Sequence, residues 1–124
     1  MEKEDKPSED KPLFDLDKAL EMVDQDKEFL KELVEIFNSD YPQKLATIYQ
    51  AIKEKDFKSL NETAHSLKGA SGSLFLTKVY ELSLELEKRG KESKIEGIEN
   101  IYKELEAELE KFKDFVSQPG WEEK

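Results

Sequence analysis

Ile95-Glu96-Gly97-Ile98-Glu99-Asn100-Ile101-Tyr102-Lys103-Glu104-Leu105-Glu106-Ala107-Glu108-Leu109-Glu110-Lys111-Phe112-Lys113-Asp114-Phe115-Val116 places its large apolar side chains at Ile95, Ile98, Ile101 or Tyr102, Leu105, Leu109, Phe112 and Val116. Spacings of three and four held for about six turns put those side chains on one stripe of an α-helix, with charged residues on the opposite face. Pro119-Gly120 ends the pattern.

Outward from this segment, toward the N-terminus, the same recurrence returns. Thr77 can cap a helix with Val79, Leu82 and Leu86 inward, Arg89 at its negative end and Gly90 just beyond. Asp56 begins the preceding helix, whose inward positions are Phe57, Leu60, Ala64, Leu67, Ala70 or Ser71, and Leu74; Gly69, Gly72 and two serines blur its end. Before it, Phe29, Leu30, Leu33, Ile36 and Phe37 follow the capping run Asp24-Gln25-Asp26 and lead into Tyr41, Leu45, Ile48, Tyr49 and Ile52. Pro42 lacks an amide donor, so this stretch is one kinked helix or two stacked ones. Asp15 starts a short helix that reaches about Val23. No period-two segment of useful length occurs, so strands are not expected. The predicted fold is all-α, an antiparallel up-down-up-down four-helix bundle with a short extra N-terminal helix. Residues 13–118 would form it, residues 1–12 a polar, disordered leader, and residues 119–124 a short tail from which Trp121 either folds back or hangs in solvent.

A chain of 124 residues holds one core. Asp and Glu number 30 against 20 Lys and Arg, for a net charge of −10, which argues against nucleic acid or an anionic membrane as partner. There is no cysteine, which excludes disulfides and thiolate metal sites. No apolar run approaches the roughly 18 residues that span a bilayer, and no signal-like stretch follows Met1. A cytoplasmic location is the expectation, and a monomer, because the apolar stripes are used internally.

The single histidine lies in Ala64-His65-Ser66-Leu67-Lys68-Gly69-Ala70-Ser71-Gly72. On a helix, His65, Lys68, Gly69 and Gly72 share one stripe, apart from the apolar one, so the imidazole faces outward beside an ammonium and bare backbone. Each glycine in a helix interior costs about 0.5–1 kcal/mol relative to alanine. Two of them here point to a macromolecule that approaches closely, although Gly72 can equally mark the loosening or end of the helix. A neutral imidazole is a good nucleophile near neutral pH. Phosphoryl transfer asks mainly for in-line geometry and neutralised oxygens, and Lys68 offers a point positive charge. No P-loop or glycine-rich nucleotide loop is found, so the chain is not expected to use ATP itself.

His65-Ser66-Leu67-Lys68-Gly69, followed by Ala70-Ser71-Gly72-Ser73-Leu74, resembles the signature of the histidine-containing phosphotransfer (HPt) domain of bacterial and eukaryotic phosphorelays, and the resemblance covers about residues 14–116. It implies a phosphocarrier rather than an enzyme: His65 as phosphoacceptor, Lys68 neutralising the phosphoryl oxygens, and Gly69 letting a receiver domain sit flush. The implied partners are a response-regulator receiver domain, a hybrid histidine kinase, or both. No cofactor is implied on this chain, Mg²⁺ being expected only on the partner receiver. In the similar phosphotransfer domain of chemotaxis kinases a glutamate on the adjacent helix accepts a hydrogen bond from the histidine's Nδ1, and Glu87 matches it by count; otherwise Glu87 is a solvated surface acid. Gly72 and Lys58 join Gly69 as candidate partner-binding residues, with Lys58 either extending the positive spot or serving as a plain surface lysine. Lys88 and Arg89 either help dock a partner or complement the helix dipole. Phe75 stands where the family usually has glycine, and it either packs inward beside Leu74 and Leu76, the favoured reading, or protrudes near the docking face.

Two other classes of function compete. A helical-bundle interaction module without phosphotransfer explains the amphipathic helices but leaves the Lys-Gly-x-x-Gly stripe unexplained. A metal-binding bundle would need the Glu-x-x-His pairing twice, and Glu62 with His65 supplies it once, so no metal site is expected.

Overall fold

The computed structural model describes residues 13–123; the expected disordered leader, residues 1–12, lies outside them. The elements are α1 (Leu16–Met22), α2 (Lys27–Glu54), α3 (Phe57–Ser73), α4 (Thr77–Glu92), α5 (Ile98–Val116) and a closing 3₁₀ turn (Trp121–Glu123), with no strand among the described residues. Aspartates start the first three helices: Asp15, Asp26 and Asp56 accept hydrogen bonds from the amides of Lys18, Phe29 and Ser59 at 3.1–3.2 Å, which satisfies donors that a helix start leaves unpaired. Residues 55–56, 74–76 and 93–97 are all that join the long helices, so successive helices run antiparallel. Contacts of α2 with α5 close the ring of four.

The core is the stripe the sequence displays. Leu60, Ala64 and Leu67 of α3, Val79 and Leu86 of α4, and Leu105, Leu109 and Phe112 of α5 are all fully or almost fully buried. Ser71, not Ala70, is the inward residue of its turn, with its hydroxyl donating to the Lys68 carbonyl. On α2 the inward set is Leu30, Val34, Phe37, Tyr41, Ile48, Ala51 and Ile52. Phe29, Ile36 and Tyr49, counted inward from the spacing, are exposed instead, because α2 packs on its two bundle neighbours along the other edge of a broad apolar face.

Several boundaries differ from the expected ones, each for a backbone reason. α2 is a single helix that carries Pro42 in its interior. α5 begins at Ile98 rather than Ile95: Gly97 is its N-cap with φ +72°, a left-handed conformation that cannot continue a helix backwards, and Ile95 is left exposed. Thr77 is the first residue of α4 and not its cap, a place taken by Leu76 without a side-chain bond. Gly90 does not end α4, which runs on to Glu92 and a left-handed Ser93.

Gly90 is instead a point of close approach between α4 and α3. A Cβ there would lie 2.7 Å from the amide nitrogen of Asn61 and 3.0 Å from the carbonyl oxygen of Phe57, so α4 rests its bare backbone on α3. The end of α3 is equally definite. Leu76 N–H bonds the Ser71 carbonyl and Phe75 N–H the Gly72 carbonyl, a Schellman closure whose left-handed residue is Phe75 at φ 61°. That is why glycine suits the position; here the ring is half-buried against the core, and the Phe75 carbonyl accepts the amide of Asp15 at the entry to α1. Trp121 folds back, 5.8 Å from the ring of Phe14 and 6.4 Å from that of Phe115, and Lys27 pairs with Glu123 at 2.7 Å.

Gly90 and Gly69 should respond to the same substitution with opposite signs. Gly90→Ala should cost about 1–3 kcal/mol, because the new methyl meets backbone that cannot yield. Gly69→Ala, with nothing within 4 Å of the built Cβ, should gain about 0.5–1 kcal/mol of helix propensity. Urea unfolding midpoints of the two variants check the pair, and a shift in the same direction for both would refute the assigned packing.

Candidate functional site

His65 projects from the middle of α3 with its side chain 66% exposed, and its Nδ1 lies 2.8 Å from Glu87 Oε2 on α4. Ala64 and Leu67 on either side are buried, so the helix period alone turns the imidazole to water. A carboxylate only accepts, so this bond places a proton on Nδ1 and leaves Nε2 with a lone pair facing solvent. Lys68, one turn on, lies largely covered with Nζ 2.8 Å from the other oxygen of the same carboxylate. The contact is an ion pair.

Glu87 therefore joins the two α3 residues the sequence singles out. Lys68 beside it holds its carboxyl below the usual carboxylate range, the His65 bond adds to that effect, and partial burial opposes both. Glu87 in turn raises the ammonium of Lys68. With the ring in its neutral form, the trio is an uncharged imidazole beside a charge pair, in a chain of net charge −10.

Glu87 is placed by residues that the sequence did not single out for this. Asn61, one turn before His65 on α3, donates Nδ2 to the Glu87 carbonyl at 2.9 Å, and Gly90 seats α4 on the Asn61 backbone. The available signal was positional: Asn61 lies four residues before the histidine and Gly90 three after the glutamate.

The remaining candidates divide. Gly69 is open. Gly72 is not bare: Cδ1 of Tyr80 lies 3.1 Å from where its Cβ would be. Lys58 is 83% exposed and pairs with Glu62 at 2.9 Å, so its charge is offset. Lys88 is exposed and Arg89 half-buried, the latter with its guanidinium beside Gly97 at the turn into α5. Among the described residues no three metal-ligating side chains converge, and no helix is long and apolar enough to cross a membrane.

Comparison with known proteins agrees with this geometry. The Hpt domain family model matches residues 32–115. Multistep phosphorelay regulator 1 of Schizosaccharomyces pombe is 33% identical over 102 residues, covering 79% of this chain and 35% of that protein. Phosphorelay intermediate protein rdeA of Dictyostelium discoideum is 29% identical over 97 residues, covering 78% and 38%. Phosphorelay intermediate protein YPD1 of Candida albicans is 40% identical over 58 residues, covering 46% and 32%. The chain thus spans about a third of the length of these relatives. The crystal structure of histidine-containing phosphotransfer protein B from Pseudomonas aeruginosa superposes with a TM-score of 0.72 at 23% identity, covering 78% of this chain and 84% of that one, a likeness of fold.

Because Lys68 is the largest cause of the depressed Glu87 carboxyl, Lys68→Met should move its titration upward, toward the ordinary 4.5. The sign for stability follows: a depressed carboxyl stabilises the fold above its unfolded-state value, and the contribution disappears as pH falls through the folded-state value. Carboxyl-detected NMR titration of both proteins checks this, and an unmoved Glu87 curve would show that the ion pair does not persist in solution.

Proposed function

The chain belongs to the Hpt domain family, and from that premise we propose that it is a phosphorelay carrier, with His65 Nε2 as the atom that receives and returns the phosphoryl group. The observation that carries the reading is the Nδ1 to Glu87 bond at 2.8 Å, since it presents the other nitrogen to solvent in its nucleophilic form.

In the uptake step, the Nε2 lone pair attacks the phosphorus of an aspartyl phosphate on a receiver domain. The Nε2–P bond forms as the P–O bond to the aspartyl carboxylate breaks, and that carboxylate leaves with the bonding pair. No proton has to leave Nε2. The Nδ1 proton stays in place, and the ring, now carrying positive charge, rests against the Glu87 carboxylate. Lys68 is one turn away for the phosphoryl oxygens, as a compact ammonium suited to a dianion. Passing the group to a second receiver reverses each bond change. Mg²⁺ and the acceptor carboxylate come from the receiver, and the carrier needs neither ATP nor a metal of its own. This role is exercised in the cytoplasm by a monomer.

Glu87 is a positioning residue in this scheme, and so is Asn61 behind it. Gly69 leaves the approach to the imidazole open, and the phosphorus of the receiver's aspartyl phosphate must come within about 3.5 Å of Nε2 for in-line attack.

Incubation with phosphoramidate or with a phosphorylated receiver domain should label the protein with an acid-labile, alkali-stable phosphate, and His65→Gln should abolish it. Equal labelling of the variant would exclude His65 as acceptor. Lys68→Met should slow transfer about tenfold or more, a usual scale for one charge at developing phosphoryl oxygens, with an unchanged helical circular dichroism spectrum. Lost helicity would assign Lys68 a structural role instead.

A further inference from the structure

Gly72 lies seven residues after His65 on α3, and Tyr80 lies seven before Glu87 on α4. In an antiparallel pair these offsets bring Tyr80 opposite Gly72, as Glu87 is opposite His65. The built Cβ of Gly72 would meet Tyr80 Cδ1 at 3.1 Å and Cε1 at 3.3 Å, tight enough that a side chain there lifts the ring. The glycine that reads from sequence as space for a visitor is therefore already occupied, and what it seats is a tyrosine that remains 38% exposed. Between His65 and Gly72 the stripe carries Lys68 and the open backbone of Gly69.

We propose that Tyr80, seated on Gly72, is a partner-discriminating contact of the phosphotransfer face, covered by any receiver domain that reaches His65. The inference rests on the carrier reading and deepens it. Seven helical residues rise about 10 Å. A specific interface takes about 800 Å² from each partner, a patch reaching roughly 16 Å from its centre, so a receiver centred on the imidazole extends over Tyr80. A half-exposed tyrosine held against a neighbouring helix brings a large contact area at little cost in side-chain freedom, and such residues dominate binding energy at interfaces. Its hydroxyl adds an orientable donor that aliphatic replacements lack. It does not touch the reacting atoms, so its effect falls on receiver affinity and choice and not on the bond-making step.

The test uses a receiver domain that exchanges phosphate with the parent protein, and measures its dissociation constant together with the transfer rate in the saturated complex. Tyr80→Ala should weaken binding about tenfold, the scale of an interface anchor, with the saturated rate changed less than twofold, and Tyr80→Phe should restore most of the affinity. Gly72→Leu, which unseats the ring without removing it, should weaken binding as well and guards against a fold defect in the alanine variant. Affinity within twofold of the parent for both Tyr80→Ala and Gly72→Leu overturns the proposal, as does a loss confined to the saturated rate. Failure of phosphoramidate to label the parent protein at His65 is a separate result that overturns the carrier reading itself, and this inference with it.

Discussion

The bare backbone of Gly90 against Asn61 is the contact on which the arrangement depends. Helices usually meet through side chains and keep some freedom to slide; here a Cβ would stand 2.7 Å from a backbone nitrogen, so α4 is pinned against α3 at one height. Asn61 secures the same point with a bond to the Glu87 carbonyl. Once the register is set there, the period of the two helices does the rest: Glu87 falls opposite His65 and Lys68, and Tyr80 opposite Gly72.

The carboxylate so placed faces two donors of different kinds. Its bond to Nδ1 selects a tautomer, while its ion pair with Lys68 cancels its charge. In a protein with 30 acids, an unpaired Glu87 would deepen a negative field where, on the proposed reading, a phosphoryl group enters. The ion pair leaves the site close to neutral without consuming the lone pair on Nε2. Lys58, on the same stripe, is offset by Glu62 in the same way, so both lysines of the stripe are charge-paired.

Much of this was legible in the residues and some of it was not. Helix identity, the buried stripes and the outward turn of His65 follow from periodicity, because burial on one face is what the pattern encodes. Boundaries depart from the expected ones wherever backbone conformation overrules the pattern: Ile95 belongs to the apolar series, but the left-handed Gly97 cuts it off. Gly90 differs from the expected helix end because glycine has two uses there, termination and close approach, and only the neighbour across the bundle distinguishes them. Gly72 and Tyr80 carry the same lesson, since a missing Cβ facing solvent and one filled by a ring from another helix look alike in one dimension. Phe75 went the other way, with its half-buried ring anticipated from Leu74 and Leu76 and its left-handed backbone invisible until the Schellman bonds are in place.

A carrier must also be willing to give up what it receives, and the pairing of Lys68 bears on that requirement. An ammonium held free for the phosphoryl oxygens would stabilise the phosphorylated state by its full interaction and deepen the well from which the group must leave. Lys68 is already engaged with Glu87 in the unphosphorylated protein, so on the proposed reading its net gain on turning to the phosphoryl group is the difference between two ion pairs. Glu87 loses the ammonium at that moment but gains a cationic ring, so neither partner is left uncompensated. Exchanging one pairing for another keeps the two states close in free energy, which is the condition for a group to move through the protein in either direction under control of its partners.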